Sequence, residues 1–145
     1  MTDAAEEAVA GLNVSRETFA KLREFEALVR RWNSAINLVS KATLADLWSR
    51  HIVDSAQVFS LYPPKAQSWV DLGSGGGFPG LVVAILAQEM KPDLRVTLVE
   101  SDLRKATFLR QASQALGVPV TVRTERIESL APQNADVLSA RALAS

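Results

Sequence analysis

The stretch D-L-G-S-G-G-G-F-P-G, residues 71–80, decides how this chain is expected to fold. It follows the apolar pair Trp69-Val70 and precedes the apolar run 81–86. A strand ending in an acid, a glycine-rich turn and a helix beginning at Pro79 together predict a strand–turn–helix unit that holds a small ligand. The glycines leave backbone N–H groups uncovered by any Cβ, so a ligand can approach the main chain closely.

Strand and helix patterns alternate from this loop to the end of the chain. The predicted strands cover residues 69–72, 95–100, 118–123 and 136–139, and the predicted helices cover 79–90 and 102–116, with a short helical turn within 125–130. This repetition predicts an α/β, Rossmann-like fold with a parallel sheet and right-handed crossovers. Ligands of such sheets bind at the carboxyl ends of the strands, where the glycine loop lies. Because the sequence stops soon after the fourth strand, we expect a sheet truncated there, with an exposed edge.

The residues before the loop have a helical pattern. Residues 1–14 are small and acidic, which predicts a loosely held lead-in, and Ser15 is a predicted N-cap for a helix that ends near Asn33. A loop over 33–41 and a second helix over 44–62 follow, and the two prolines at 63 and 64 end that helix. We therefore divide the chain into an N-terminal helical extension, 1–64, and a Rossmann-like ligand-binding domain, 65–145.

The composition of the chain argues against several classes of protein and site. The 145 residues carry no net charge, contain no cysteine and include one histidine, His51. Disulfides are excluded, and no metal centre is expected. A balanced charge argues against indiscriminate nucleic-acid binding, so DNA is not an expected partner. The longest apolar run, 81–87, is too short to cross a bilayer, and no secretory signal is evident, which predicts a cytoplasmic protein without a membrane partner.

The loop itself is compatible with two adenosine-containing ligands. Gly75, Gly77 and Gly80 fit the G-x-G-x-x-G pattern of dinucleotide-binding proteins, which suits an NAD-dependent oxidoreductase. The same loop also fits the D-x-G-x-G-x-G pattern of enzymes that use S-adenosylmethionine (SAM), beginning at Asp71. Glu100 ends the second predicted strand, where a carboxylate would accept hydrogen bonds from both ribose hydroxyls of either ligand. The loop alone leaves both alternatives open.

Four segments distinguish between these ligands: W-N-x3-N-L at 32–38, R-H-I-V-D-S at 50–55, the glycine loop, and S-A-R-A-L-A at 139–144. Together they closely resemble the RsmG (GidB) family of bacterial 16S ribosomal RNA methyltransferases, over residues 15–145. The resemblance implies a SAM-dependent methyltransferase fold and methyl transfer to N7 of a guanine in 16S rRNA or the small ribosomal subunit. Family members continue with further strands, so a SAM-binding fragment without activity of its own is the alternative.

The family resemblance and the pattern of the loop and strands each predict site residues. The resemblance implies cofactor contacts at Gly73, Phe78, Ile127, Glu128 and Arg141. The loop pattern adds Gly75, and the end of the second strand adds Glu100 for the ribose. We expect Asp71 to brace the glycine loop and Asn33 to tie the helical segment onto the sheet.

No catalytic base is expected for this chemistry. Guanine N7 has a free lone pair, so it can attack a sulfonium methyl group without losing a proton. His51 and Asp54, three residues apart on a predicted helix, are possible pocket-lining residues rather than catalysts. The basic residues predicted to contact RNA are Arg30, Arg31, Lys41, Arg50 and Arg123.

Overall fold

The structure, a computed structural model, describes residues 6–140, with side chains from Ala8 onward. Its strands are β1 (Glu6–Val9), β2 (Leu12–Ser15), β3 (Ser68–Leu72), β4 (Arg95–Val99), β5 (Thr121–Arg123) and β6 (Val137–Ala140). Its α-helices are α1 (Arg16–Asn33), α2 (Lys41–Leu44), α3 (Asp54–Phe59), α4 (Gly80–Met90) and α5 (Leu103–Leu116). A π-helical segment, Trp48–Val53, joins α2 to α3, and a single 3-10 turn, Ile127–Ser129, follows β5.

The main sheet has the order β5-β4-β3-β6, with every pairing parallel. This confirms the predicted α/β, Rossmann-like fold. The chain proceeds from β3 to one side and then crosses to the other side for β6, so the strand order reverses beside β3. Such a reversal opens a crevice at the carboxyl ends of the strands, and the loop that follows β3 lies there. Within the described residues β6 forms one edge, and its Leu138 side chain is exposed.

Helix α4 lies at the centre of the hydrophobic core, and every residue from Gly80 to Ala87 is buried. A helix that is apolar all round must be covered on all sides, here by the sheet and by other helices. One of these is α1, whose Phe25 ring lies 5.2 Å from Phe78 and 6.4 Å from Phe108 between centroids. Residues from both sides of position 64 therefore share one core. The division at that position stays a prediction.

Residues 6–15 form an antiparallel hairpin, so the predicted loose lead-in is wrong over residues 6–14; the rest of it lies outside the described residues. Val9 and Val14 are buried in the core, and the Ser15 amide donates to the Glu89 carboxylate at 3.0 Å. Burial raises the pKa of Glu89, but hydrogen bonds from Thr18 and Ser15 lower it overall, so the carboxylate is held ionised. The hairpin depends on these contacts with distant residues, which the small, acidic sequence does not indicate.

The helix predicted over 44–62 is wrong in its bounds and its regularity: α2 ends at Leu44, and the π-helical segment leads directly into α3, which ends at Phe59. Ser40 caps α2, since its hydroxyl accepts from the Thr43 amide at 3.2 Å, and the helix therefore begins earlier than predicted. The wider π-helical turn brings residues five apart onto one face. Leu47, directly before this segment, and Ile52 within it are both fully buried.

The remaining elements agree with prediction to within a few residues. Helix α4 begins at Gly80 with Pro79 at its N-cap, one residue later than predicted, and β5 begins at Thr121 rather than at 118. Gly117 ends α5 in a left-handed conformation, as its position predicted. In the part of the chain that the structure describes, none of the helices has the length and apolar character needed to span a membrane.

Candidate functional site

The loop between β3 and α4 is held to the neighbouring strand by its own backbone. The amides of Gly73 and Ser74 both donate to the Val99 carbonyl at the end of β4, at 2.8 and 3.0 Å. Gly73, Gly75 and Gly77 have φ values of 68°, 54° and 96°, in the region that side-chain-bearing residues avoid. The glycines thus permit a compact turn that stays at the sheet's carboxyl edge.

The buried carboxylate of Asp71 fixes both ends of this loop. Its Oδ2 accepts from the Gly80 amide at 3.1 Å and from the Ser74 hydroxyl at 2.9 Å. Its Oδ1 accepts from the Ser139 hydroxyl on β6 at 2.7 Å. This confirms that Asp71 braces the loop, and it explains why an acid stands at the end of a central strand.

The glycines of the loop differ in what surrounds them. A Cβ on Gly80 would lie 2.9 Å from the Asp71 Cβ, and one on Gly77 would lie 2.7 Å from the Phe25 ring. These two glycines are therefore required by packing. A Cβ on Gly75 would meet only the Gly73 carbonyl oxygen, at 3.9 Å. Gly75 therefore leaves open space beside the main chain, as a ligand-binding position requires.

A first cavity of about 510 Å³ opens beside Gly75 at the ends of β4 and β5. Its lining comprises Gly73, Gly75, Val99, Glu100, Ser101, Lys105, Glu125, Arg126, Ile127 and Glu128. The structure thus brings five of the predicted cofactor residues to one cavity: Gly73, Gly75, Glu100, Ile127 and Glu128. Their role in binding a cofactor stays a prediction.

Glu100 joins the glycine loop to the start of α5. Its Oε1 accepts from the Gly75 amide at 2.7 Å, and its Oε2 accepts from the Asp102 amide at 2.9 Å. The residue is only 8% exposed, although it lines the cavity. Each carboxylate oxygen keeps a second lone pair, so the group can still accept hydrogen bonds from a ligand.

Asp102 positions α5 beside this cavity. Its carboxylate accepts from the amides of Arg104 and Lys105, at 2.9 and 3.1 Å, and so caps the helix. The hydrogen bond from the Lys105 amide is the main reason that the pKa of Asp102 is lowered. Desolvation raises this pKa, but the Arg104 amide and the positive charges of Lys105 and Arg104 lower it further. The cap is therefore ionised at neutral pH, which also suits the positive end of the helix dipole.

A second cavity, of about 330 Å³, lies on the other side of the glycine loop. Its lining comprises Leu38, Val39, Ser40, Thr43, His51, Gly73, Ser74, Gly75, Gly76 and Phe78. Phe78 is buried, and its ring centroid lies 4.8 Å from that of His51. His51 and Phe78 were expected near a pocket, whereas the contribution of residues 38–43 was not predicted.

Asn33 explains how residues 38–40 reach this cavity. Its buried side-chain oxygen accepts from the amides of Leu38 and Val39, at 2.7 and 2.9 Å, and so fixes the loop that follows α1. The predicted attachment of this segment to the sheet by Asn33 stays a prediction. Leu38 in turn lies against the glycine loop, since a Cβ on Gly76 would be 3.2 Å from the Leu38 Cβ. The W-N-x3-N-L pattern was the available signal for this wall, because it places an amide side chain just before a loop.

Of the other predicted residues, those that the structure describes are not among the lining residues of these two cavities. Asp54 lines a third cavity, of about 390 Å³, together with Pro79 and Ser139, whereas His51 lines the second. Arg141 lies outside the described residues. Arg30 donates to the Leu44 carbonyl at 2.8 Å, and Arg123 pairs with Glu125 at 3.0 Å, so both have partners on the protein surface. RNA contacts by the basic residues stay predictions.

A family model and two curated relatives that match this chain carry the same description. The family model GidB, described as rRNA small subunit methyltransferase G, matches residues 18–145. Curated relatives called Ribosomal RNA small subunit methyltransferase G, from Ruegeria sp. (strain TM1040) and Ruegeria pomeroyi, are 57% and 61% identical to it. The alignments cover 92% and 91% of this chain but 64% of each relative, so the chain spans slightly less than two thirds of their length. A solved structure of a putative O-methyltransferase from Klebsiella pneumoniae is 21% identical, with a TM-score of 0.48 over 71% of this chain and 42% of that one, too low to support an argument.

Proposed function

Since this chain belongs to the GidB family of rRNA small subunit methyltransferases, we propose that it binds SAM and methylates N7 of a guanine in 16S rRNA. The observation that carries the proposal is the position of Glu100, hydrogen-bonded to the Gly75 amide and lining the first cavity. A small-subunit rRNA substrate also suits a cytoplasmic protein, with the ribosomal subunit or its RNA as partner.

The first cavity fits the adenosine part of SAM. The free lone pairs of the Glu100 carboxylate suit the two neighbouring ribose hydroxyls, which are hydrogen-bond donors. Ile127, which is partly exposed, supplies an apolar surface for a planar base, and Glu128 lies beside it on the same lining. The open space beside Gly75 lets the ligand approach the backbone. These residues would hold the nucleoside, with Glu100 as the specific contact.

Methyl transfer to N7 requires that the reacting atoms be held in line, and it requires no catalytic base. A bound cofactor would supply an electrophilic methyl group on a sulfonium, which N7 would accept through its own lone pair, leaving the positive charge on the guanine and the C–S electron pair on sulfur. No proton moves, so His51 and Asp54 are not needed as proton acceptors. The contribution of the chain is to hold the reacting atoms in line, which is worth several kcal/mol in favourable cases.

Calorimetry with nucleotide ligands tests the cofactor assignment. We expect S-adenosylhomocysteine (SAH) to bind and NADH not to bind. Glu100→Gln should weaken SAH binding about tenfold or more, because it replaces an acceptor by a donor facing the ribose. Glu24→Gln, an exposed residue on α1, is the matched control and should bind as the wild type does. Binding of NADH without binding of SAH would overturn the proposal.

Methyl transfer needs a separate experiment, because the chain covers only part of its relatives. Small ribosomal subunits lacking this methylation are incubated with the chain and methyl-labelled SAM, and the rRNA is digested to nucleosides. The proposal requires label in 7-methylguanosine. Label in another nucleoside would contradict the N7 assignment. Binding of SAH without any label would favour the SAM-binding fragment over the enzyme.

A further inference from the structure

The third cavity, of about 390 Å³, lies at the carboxyl end of β6 and has no role in the function proposed above. Three of its lining residues, Leu138, Ser139 and Ala140, are the last residues of that strand. Helix α3 supplies most of the remaining lining, and Pro79, directly before α4, completes it among the described residues. The cavity has the size of an ordinary small-molecule site.

The first and third cavities lie on the two sides of β3. The first reaches the glycine loop at Gly73 and Gly75, and the third reaches it at Pro79. Strand β3 stands between β4 and β6 in the sheet, so the loop that follows β3 lies between the two cavities. The Ser139 hydroxyl donates to the Asp71 carboxylate that braces this loop, at 2.7 Å, and so holds the wall of the third cavity to the loop. With a methyl donor in the first cavity, the third cavity is placed for a methyl acceptor.

The lining of the third cavity combines one carboxylate with apolar side chains. Val58 and Leu138 present apolar surface, and Leu138 is 62% exposed. Among the described residues of the lining, Asp54 alone is charged. Asp54 also interacts within the protein, but a carboxylate has about four lone-pair sites and can accept further hydrogen bonds from a ligand. The cavity therefore suits a flat ligand that carries hydrogen-bond donors along one edge.

Guanine carries such donors. Its Watson–Crick edge has the N1–H and the N2 amino group side by side, and one carboxylate can accept from both. Adenine has a single donor on that edge, the N6 amino group, and its N1 lone pair would face the carboxylate. Enzymes that act on a base taken out of its stack commonly hold it by this edge and between apolar side chains. With that edge on Asp54, N7 lies on the far side of the purine and stays open to a methyl donor.

We infer that the third cavity binds the acceptor guanine of the RNA, with Asp54 accepting from N1–H and the N2 amino group and with Val58 and Leu138 packing against the ring. This inference rests on the proposed methyltransferase function. It makes Asp54 the residue that determines base specificity, without any part in proton transfer. The glycine loop then lies between the donor, held by Glu100, and the acceptor.

Mononucleotides that differ along the Watson–Crick edge provide the test. Guanosine, inosine and adenosine monophosphates (GMP, IMP and AMP) are each titrated into the SAH-loaded chain, and binding is followed by saturation-transfer NMR. IMP lacks the N2 amino group, so we expect it to bind roughly tenfold more weakly than GMP, the loss of one hydrogen bond to a charged group. AMP should bind at least as weakly as IMP, because its N1 is an acceptor.

The variant Asp54→Asn should reverse this preference. A side-chain amide presents one acceptor and one donor, which match the N6 amino group and N1 of adenine but not the two donors of guanine. We expect this variant to bind AMP roughly threefold or more tightly than GMP, a reversal that misfolding cannot produce. Asp46→Asn is the matched control, because it removes the same charge from an exposed carboxylate outside the lining of the three cavities. It should keep the preference for GMP.

Leu138→Ala tests the location of the site without depending on Asp54. Because the Leu138 side chain is largely exposed, its truncation should leave the fold intact. It removes apolar surface from the cavity, so it should weaken GMP, IMP and AMP alike, by roughly two- to fivefold, and leave their order unchanged.

The outcomes separate this inference from the function proposed above. If SAH does not bind the wild type, the SAM assignment itself fails. The inference alone is overturned if SAH binds but the wild type has no preference for GMP. It is overturned equally if Asp54→Asn does not bind AMP at least as tightly as GMP, or if Leu138→Ala leaves GMP binding unchanged.

Discussion

At the scale of single residues, Gly80 shows how packing rather than ligand contact can require a glycine. It lies at the first position of α4, where alanine has the higher helix propensity by up to about 1 kcal/mol. Its neighbours Asp71 and Leu98 leave no room for a Cβ. The two effects have opposite signs, so the measured stability change reveals which one dominates.

We predict that Gly80→Ala lowers the free energy of unfolding by about 1–3 kcal/mol, because the steric cost exceeds the propensity gain. Urea denaturation followed by circular dichroism measures the change. Gly117→Ala is the comparison: its φ of 66° is unfavourable for alanine, but no atom lies within 4 Å of the added Cβ. That variant should lose only about 1 kcal/mol. A Gly80→Ala protein as stable as the wild type would show that Asp71 can move aside.

At the scale of elements, α5 begins at a cap whose strength depends on pH. The pKa of Asp102 is lowered in the folded protein, so its ionised form contributes stability above the unfolded-state value of about 3.9. That contribution is lost as the pH falls through the folded-state pKa, which lies below this value. Asp102→Ala should therefore cost about 1 kcal/mol at neutral pH and markedly less near pH 3.

Urea unfolding at both pH values measures this loss. Asp102→Asn retains a capping side chain without the charge, so it should keep most of the stability at neutral pH. It should also lose the part of the pH dependence that comes from this site. An equal cost of Asp102→Ala at both pH values would contradict the role of the ionised cap.

The elements also show which parts of the fold were predictable. The strand–helix alternation after residue 64 and the cap at Ser15 follow from local patterns, and the structure contains them. The β1–β2 hairpin does not follow, because buried valines and the distant Glu89 carboxylate hold it in place. The predicted cofactor residues Gly73, Gly75 and Glu100 could be named because glycine and acid patterns mark strand ends. The place of Ser40 and Thr43 in the second cavity could not, since the Asn33 side chain fixes the residues just before them.

At the scale of the whole molecule, the N-terminal helices and the sheet have no separate cores. The Trp32 ring of α1 lies 5.4 Å from the Phe108 ring of α5, and the Lys21 side chain donates to Gln88 of α4 at 2.7 Å. Removing either half would expose the apolar faces of the other, and this exposure would cost about 25 cal/mol of free energy for each Å² of apolar surface. A molecule built this way should unfold as one unit, even where its sequence suggests a boundary at residue 64.

Tryptophan fluorescence tests this expectation, because Trp32 and Trp48 lie before that boundary and Trp69 lies after it. In the Trp69→Phe variant the fluorescence comes from Trp32 and Trp48 in the N-terminal segment. In the Trp32→Phe/Trp48→Phe variant it comes from Trp69 in the sheet. We predict that in each variant the fluorescence midpoint in urea coincides with the midpoint from circular dichroism, as two-state unfolding requires. Comparing two probes within one variant removes the effect of the substitution on stability. If the signal of Trp32 and Trp48 changes at a lower urea concentration than circular dichroism does, the N-terminal segment unfolds independently and can leave the second cavity while the sheet stays folded.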